Sequence, residues 1–132
     1  LCIQRVLSGE KIAIHASPQG EPGKRHYIHA RNTSAAVLYL MQGKWEQREK
    51  YNIVGEKEVD NLQLAQLIAE YVGKPLNYEL LDFHSSRPGH DLRYALDGDK
   101  MQSIGWELPM NFESSLQSVV EWTLKNDRWL NA

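Results

Sequence analysis

His84-Ser85-Ser86-Arg87-Pro88-Gly89-His90-Asp91-Leu92-Arg93-Tyr94 sets two arginines, two histidines and an aspartate within eleven residues. Pro88-Gly89 breaks any helix here, because proline lacks the backbone N–H and glycine pays extra entropy, so these side chains are expected on a turn. A segment this polar has little reason to enter a core. Its guanidinium groups are planar forks that suit bidentate contacts to phosphate or carboxylate. His90 lies between Arg87, Asp91 and Arg93, and a partly protonated imidazole there can donate to an anion. From these residues alone the loop holds a bound anion, pairs with a structural carboxylate, or is simply solvated.

Outward from this loop, helical and strand patterns alternate. Ile3, Val6 and Leu7 have the spacing of a helix face, closed by Ser8-Gly9. The chain therefore opens on what reads as a helix tail, as expected of part of something longer. Lys11-Ile12-Ala13-Ile14-His15 alternates and reads as a strand. Residues 17–24 hold two prolines and two glycines and read as a loop. Arg25-His26-Tyr27-Ile28-His29 reads as a short strand leading into a helix from Ala30 to Gln42, with Ala36, Val37, Leu40 and Met41 on its apolar face and Gly43 as the stop. Lys50-Tyr51-Asn52-Ile53-Val54 has the β-branched and aromatic content of a buried strand. Residues 56–60 read as a polar turn. Asp60 or Asn61 then caps a helix whose apolar face runs from Leu62 to Val72, ended by Gly73-Lys74-Pro75. Residues 76–83 read as another strand. A short helix is expected from Asp97 or Asp99 to a stop before Gly105-Trp106. A last helix is expected from about Glu113 to Asn126, burying Leu116, Val119, Val120, Trp122 and Leu124.

The totals bound the function. A chain of 132 residues suits one domain. Hydrophobic residues make up 42% and charged residues 24%, ordinary for a globular protein. A net charge of −2 argues against a nucleic-acid coat, which needs a basic surface. Cys2 is the only cysteine, which excludes an internal disulfide and a Cys-rich zinc site. No apolar run approaches the roughly 20 residues that cross a bilayer. Neither a membrane nor a nucleic-acid partner is expected, and the location expected is cytoplasmic.

Several catalytic arrangements fail on spacing. Gly20-Glu21-Pro22-Gly23 follows a strand, but His26 stands where a dinucleotide fingerprint needs its third glycine, and no Gly-Lys-Ser/Thr P-loop occurs. His26 and His29 lie in an extended segment with no cysteine near, which suits hydrogen-bonded histidines better than zinc. Ser85-Ser86 lack the Gly-x-Ser-x-Gly elbow. None of the six tyrosines has a lysine four residues on; Tyr27 has Arg31 there and Tyr94 has Gly98. The four tryptophans are scattered, as packing residues are.

Arg87-Pro88-Gly89-His90-Asp91-Leu92-Arg93-Tyr94-Ala95-Leu96-Asp97 closely resembles a signature of the nucleotide-sugar 4,6-dehydratases, within the extended short-chain dehydrogenase/reductase family. Further segments match in order. Gly9-Glu10-Lys11-Ile12-Ala13-Ile14 resembles a Gly-x-x-Ile-x-Ile strand. Arg25-His26-Tyr27-Ile28-His29-Ala30-Arg31-Asn32 resembles an Arg-Asp-x-Leu-x-Val-x-Asp segment. Tyr51-Asn52-Ile53-Val54-Gly55 resembles Tyr-Asn-Ile-Gly-Gly, with Asn61 at the asparagine that follows. Gly105-Trp106, Phe112-Glu113 and Val120-Glu121-Trp122 fit the family's tail. Departures are His26-Tyr27, where the family has Asp and Trp, Arg31-Asn32 near its acidic pair, and a longer loop over residues 17–24.

The resemblance spans nearly all 132 residues and corresponds to the family's C-terminal, substrate-binding part. It implies one domain over residues 1–132, an α/β lobe with few short strands and about four to five helices, lacking the Rossmann core. It implies that Arg25, Asn61, Arg87 and His90 bind a nucleotide diphosphate sugar around its pyrophosphate and nucleoside, with no catalytic residue in this chain. In the family the sugar is oxidised at C4, water is eliminated across C5–C6, and the hydride returns to C6. NAD is expected in the intact enzyme, held by an N-terminal Rossmann part, and none in this chain. That Rossmann part and a second copy of the protein are the implied partners. Without it, the chain is expected to be inactive. Two alternatives remain: a stand-alone nucleotide-sugar binding module or truncated gene product, and part of a related epimerase or decarboxylase.

Overall fold

The computed structural model describes residues 1–43, 45, 48–82 and 91–130. Helix α1 (Cys2–Ser8) is closed by Gly9 at φ 72°, a left-handed conformation that favours glycine. Strand β1 (Ile12–Ala16) buries Ile12, Ile14 and Ala16 on one face. Strand β2 is only Lys24–Arg25. Helix α2 (Ala30–Gln42) starts at His29, whose Nδ1 accepts from the Arg31 N–H at 3.0 Å. Strand β3 (Val59–Asp60) runs straight into helix α3 (Asn61–Val72), where the Asp60 carboxylate caps the Gln63 N–H at 2.7 Å. Strand β4 (Tyr78–Asp82), strand β5 (Arg93–Tyr94), helix α4 (Asp99–Ser103) and helix α5 (Phe112–Lys125) follow, and a single 3₁₀ turn (Asp127–Trp129) ends the series. The expected class holds: an α/β lobe with five α-helices and short strands among the described residues.

Two small sheets organise these elements. β1 and β4 pair in parallel, Ile12 opposite Tyr78 through Ala16 opposite Asp82. The connection between them carries α2 and α3, as a parallel pairing requires. The second sheet has the order β3-β2-β5, with β2 antiparallel to β3 and parallel to β5. Val6, Ile12, Ile14, Ala65 and Ala69 form a core between α1, β1 and α3, with Leu62, Val72 and Leu76 at its margin. Val59, Met101, Phe112 and Val120 are also buried. Asn32, buried and polar, is satisfied by the Met110 backbone: its Nδ2 donates to the carbonyl at 2.8 Å and its Oδ1 accepts from the N–H at 3.2 Å.

Several local expectations change. Lys50-Tyr51-Asn52-Ile53-Val54 forms no strand. Its anchors are side chains: Lys100 Nζ lies 4.5 Å from the Tyr51 ring centre, and Asn52 Nδ2 donates to the Asp97 carbonyl at 3.0 Å. Strand pairing falls instead on Val59–Asp60, inside the expected polar turn, because β3 finds a ladder partner in β2. The strand expected over residues 25–29 shrinks to Arg25 with Lys24, since His29 is taken up as the α2 cap. The last helix starts one residue early at Phe112, with Asn111 Oδ1 capping the Ser114 N–H at 2.8 Å.

Two helix faces are less buried than their pattern suggests. On α2, Ala36 is fully buried, yet Met41 is 76% exposed and Val37 and Leu38 are also open. On α5, Val120 is buried while Val119, Trp122 and Leu124 face outward. Periodicity reports where apolar residues lie on a helix; only a neighbouring element decides whether they are covered. No helix among the described residues is long and apolar enough to cross a membrane.

Candidate functional site

Strand β2 positions the site. The Lys24 N–H donates to the Leu92 carbonyl at 2.9 Å, and the Asn61 N–H donates to the Gly23 carbonyl at 2.9 Å. The β2 edge thus joins the first residue of α3 to the tail of the Arg-Pro-Gly-His-Asp segment. Arg25 lies opposite Tyr94 in the parallel ladder, and its guanidinium carbon sits 4.1 Å from the Tyr94 ring centre. Its Nη1 donates to the carbonyls of Lys24 at 2.6 Å and Leu92 at 3.2 Å, and its Nη2 to that of Asp91 at 3.3 Å. Three of the five guanidinium N–H groups are therefore engaged by backbone, which leaves two for a ligand.

Asn61 lies beside it. A Cβ built on Gly23 would stand 3.3 Å from Asn61 Nδ2, 3.8 Å from Arg25 Nη1 and 3.2 Å from the Leu92 carbonyl. Two of the expected binding residues, far apart in sequence, thus converge over one glycine. A side chain there would crowd the amide. Asn61 Oδ1 accepts a hydrogen bond from the Tyr27 hydroxyl. Burial raises the Tyr27 pKa above the usual tyrosine value of 10.0; the Arg25 charge works against this and the Asp60 charge adds to it. The hydroxyl therefore remains a neutral donor at physiological pH.

Arg93 turns the other way. Its Nε donates to Glu58 Oε1 at 2.5 Å, which holds the Glu58 carboxyl below its usual value, mainly through that hydrogen bond. Arg87 and His90 lie outside the described residues. Of the four expected binding residues, Arg25 and Asn61 come together. Tyr27, Gly23 and Tyr94 were not among them. Tyr27 departs from the family's Trp, and that departure was the available signal. Gly23 read only as a failed phosphate cradle.

The convergence offers donors: a guanidinium and a neutral carboxamide, with no activated base beside them. Donors of this kind can make charge-assisted hydrogen bonds to an anion. The Gly20–Gly23 segment does not form a dinucleotide cradle: β1 runs into the Ser17 turn, where the Gly20 N–H closes on the Ser17 carbonyl at 2.8 Å, and not into a helix N-terminus. No cluster of three or more His, Cys, Asp or Glu able to hold a metal ion occurs among the described residues.

Comparison with known proteins defines the class first. The chain superimposes on a crystal structure of dTDP-glucose 4,6-dehydratase from Bacillus anthracis in complex with NAD, with a TM-score of 0.80 and 28% identity, over 97% of this chain and 39% of that one. A UDP-glucose 4-epimerase from Thermotoga maritima with UDP-glucose matches with a TM-score of 0.71 and 28% identity, over 95% of this chain and 38% of that one. The fold is that of a lobe of extended short-chain dehydrogenase/reductase dehydratases and epimerases. By sequence the chain is 33% identical to dTDP-glucose 4,6-dehydratase 1 of Escherichia coli (strain K12), over 99% of this chain and 37% of that protein. It is a homologue of the C-terminal part of the dTDP-glucose 4,6-dehydratases and spans a little over a third of their length. No protein-family model matches the chain.

Proposed function

We propose that this chain is the nucleotide-diphosphate-sugar-binding part of an NAD-dependent nucleotide-sugar 4,6-dehydratase, a lyase of the cytoplasm. The observation that carries the reading is the meeting of Arg25 and Asn61 over Gly23, in a chain homologous to dTDP-glucose 4,6-dehydratases. Residues 1–132 act as one domain. Arg25 and Asn61 direct donors at the pyrophosphate, and Arg87 and His90 are the further residues assigned to binding it. A pyrophosphate carries about two negative charges, and charge-assisted hydrogen bonds from guanidinium suit it.

The reaction itself needs a second part that supplies NAD and the groups acting on the sugar ring. Open apolar side chains on α2 and α5, such as Met41 and Trp122, suit a lobe that packs against such a part or a second copy. With added NAD the 132-residue chain forms no 4-keto-6-deoxy sugar.

The test is a thermal-shift panel of dTDP-, UDP-, GDP- and CDP-glucose, because a ligand that binds only the native state raises the unfolding midpoint. The expected result is a rise with dTDP-glucose larger than with the others. No rise with any of the four removes the binding reading. A rise confined to UDP-glucose moves the chain to the epimerase branch, to which the similar Thermotoga maritima structure belongs.

A further inference from the structure

The donor that Asn61 offers is only as useful as its orientation. A carboxamide turned by half a rotation presents an oxygen where an anion needs an N–H, and exposed amides exchange between the two states. Here the Tyr27 hydroxyl donates to Asn61 Oδ1, so Nδ2 lies on the opposite side, toward Gly23 and Arg25 Nη1. Among the described residues Nδ2 has no hydrogen-bond partner of its own, while Arg25 keeps two N–H groups unspent.

We infer that Tyr27 is a positioning residue: its hydroxyl fixes the Asn61 carboxamide so that Nδ2 and the Arg25 guanidinium point donors at one phosphate group. This deepens the proposed function and rests on it. Tyr27 itself touches no ligand; it acts through Asn61. The device is local. Tyr27 follows β2 by two residues and Asn61 opens α3, and the β2–β3 ladder holds the two segments in register. Gly23 leaves the amide room, since any Cβ there would stand 3.3 Å from Nδ2.

The experiment is calorimetric titration of the 132-residue chain with inorganic pyrophosphate and, separately, with dTDP-glucose. Wild type, Tyr27→Phe, Asn61→Ala, Asn61→Asp and the Tyr27→Phe/Asn61→Ala double variant are compared, each checked for a wild-type circular-dichroism spectrum. Tyr27→Phe should weaken pyrophosphate binding about threefold to tenfold, the effect of one neutral hydrogen bond. In the Asn61→Ala background the same change should have no further effect, which a merely structural tyrosine would not show. Asn61→Asp keeps an acceptor for Tyr27 but replaces the donor with a carboxylate oxygen, so binding should disappear; this arm stands even if Tyr27→Phe fails to fold.

Equal affinity of Tyr27→Phe and wild type overturns the inference. So does an undiminished Tyr27→Phe effect without Asn61, wild-type affinity in Asn61→Asp, or a wild type that takes up no pyrophosphate. Binding of pyrophosphate without dTDP-glucose, with the coupling intact, sinks the proposed function and leaves Tyr27 in its assigned role.

Discussion

Arg25→Ala tests whether the site is built before a ligand arrives. The guanidinium joins β2 to residues 66 and 67 positions further on, through the carbonyls of Asp91 and Leu92. Its third bond, to the Lys24 carbonyl, is local and forms as easily in an unfolded chain. The two long-range bonds are 3.3 and 3.2 Å, so each contributes at the low end of about 0.5–1.5 kcal/mol. Stacking on Tyr94 at a partly open position adds about 0.5–1 kcal/mol. The Leu92 carbonyl keeps the Lys24 N–H, and Asp91 is exposed to water, so neither acceptor is left stranded. The net loss is about 1.5–2.5 kcal/mol, a fall in thermal midpoint of roughly 5–10 °C for a chain of this size. Urea unfolding followed by circular dichroism, with the slope held common, measures it. Hydrogen exchange at the Lys24 N–H should accelerate in parallel. Arg25→Lys should fall close to Arg25→Ala, because the ammonium lacks the fork that spans two carbonyls. An unchanged midpoint with unchanged Lys24 exchange would refute the reasoning, and so would full stability in Arg25→Lys.

Three further outcomes follow from the same geometry. Gly55→Ala places a methyl carbon 2.1 Å from the Tyr27 carbonyl oxygen, so the backbone must move; a loss at or above the roughly 1–3 kcal/mol of overpacked cores is expected in denaturant unfolding. Asp60→Ala removes the α3 cap and should cost about 1 kcal/mol, with Asp60→Asn close to wild type in the same assay. Glu58, Glu49 and Glu113 all have carboxyl pKa values lowered, first by hydrogen bonds from Arg93, Lys100 and Lys57. Their contribution is therefore fully present above the ordinary value of 4.5 and is lost as pH falls through the lowered folded values. Glu49 is exposed and Glu58 and Glu113 are half-buried, each still open to solvent screening, so urea midpoints between about pH 3 and 6 should fall only modestly, and less at high salt or in Glu58→Gln.

Much of this molecule was legible in its residues. The apolar spacing and stop signals of α1, α2 and α3 located those helices to within a residue or two, because helix periodicity and glycine caps are local properties. The alternation of Ile12 and Ile14 located β1 for the same reason. Lys50-Tyr51-Asn52-Ile53-Val54 misled because β propensity marks side chains that fit a pleated surface, while a strand exists only where a ladder partner stands beside it. Gly55 pressed against the Tyr27 backbone and Lys100 over Tyr51 hold that segment without one.

The site divides along the same line. The residue types that hold an anion, and their order along the chain, belong to the sequence by itself: Arg25 after the Gly-rich loop, Asn61 after Gly55, and the Arg-Pro-Gly-His-Asp run. The meeting of Arg25 with Asn61, the engagement of three Arg25 N–H groups by backbone, and the turning of the Asn61 amide by Tyr27 belong to the tertiary structure. Those are contacts between segments 34 to 67 residues apart, and no periodicity or local propensity reports which distant groups a small sheet will bring within hydrogen-bond reach.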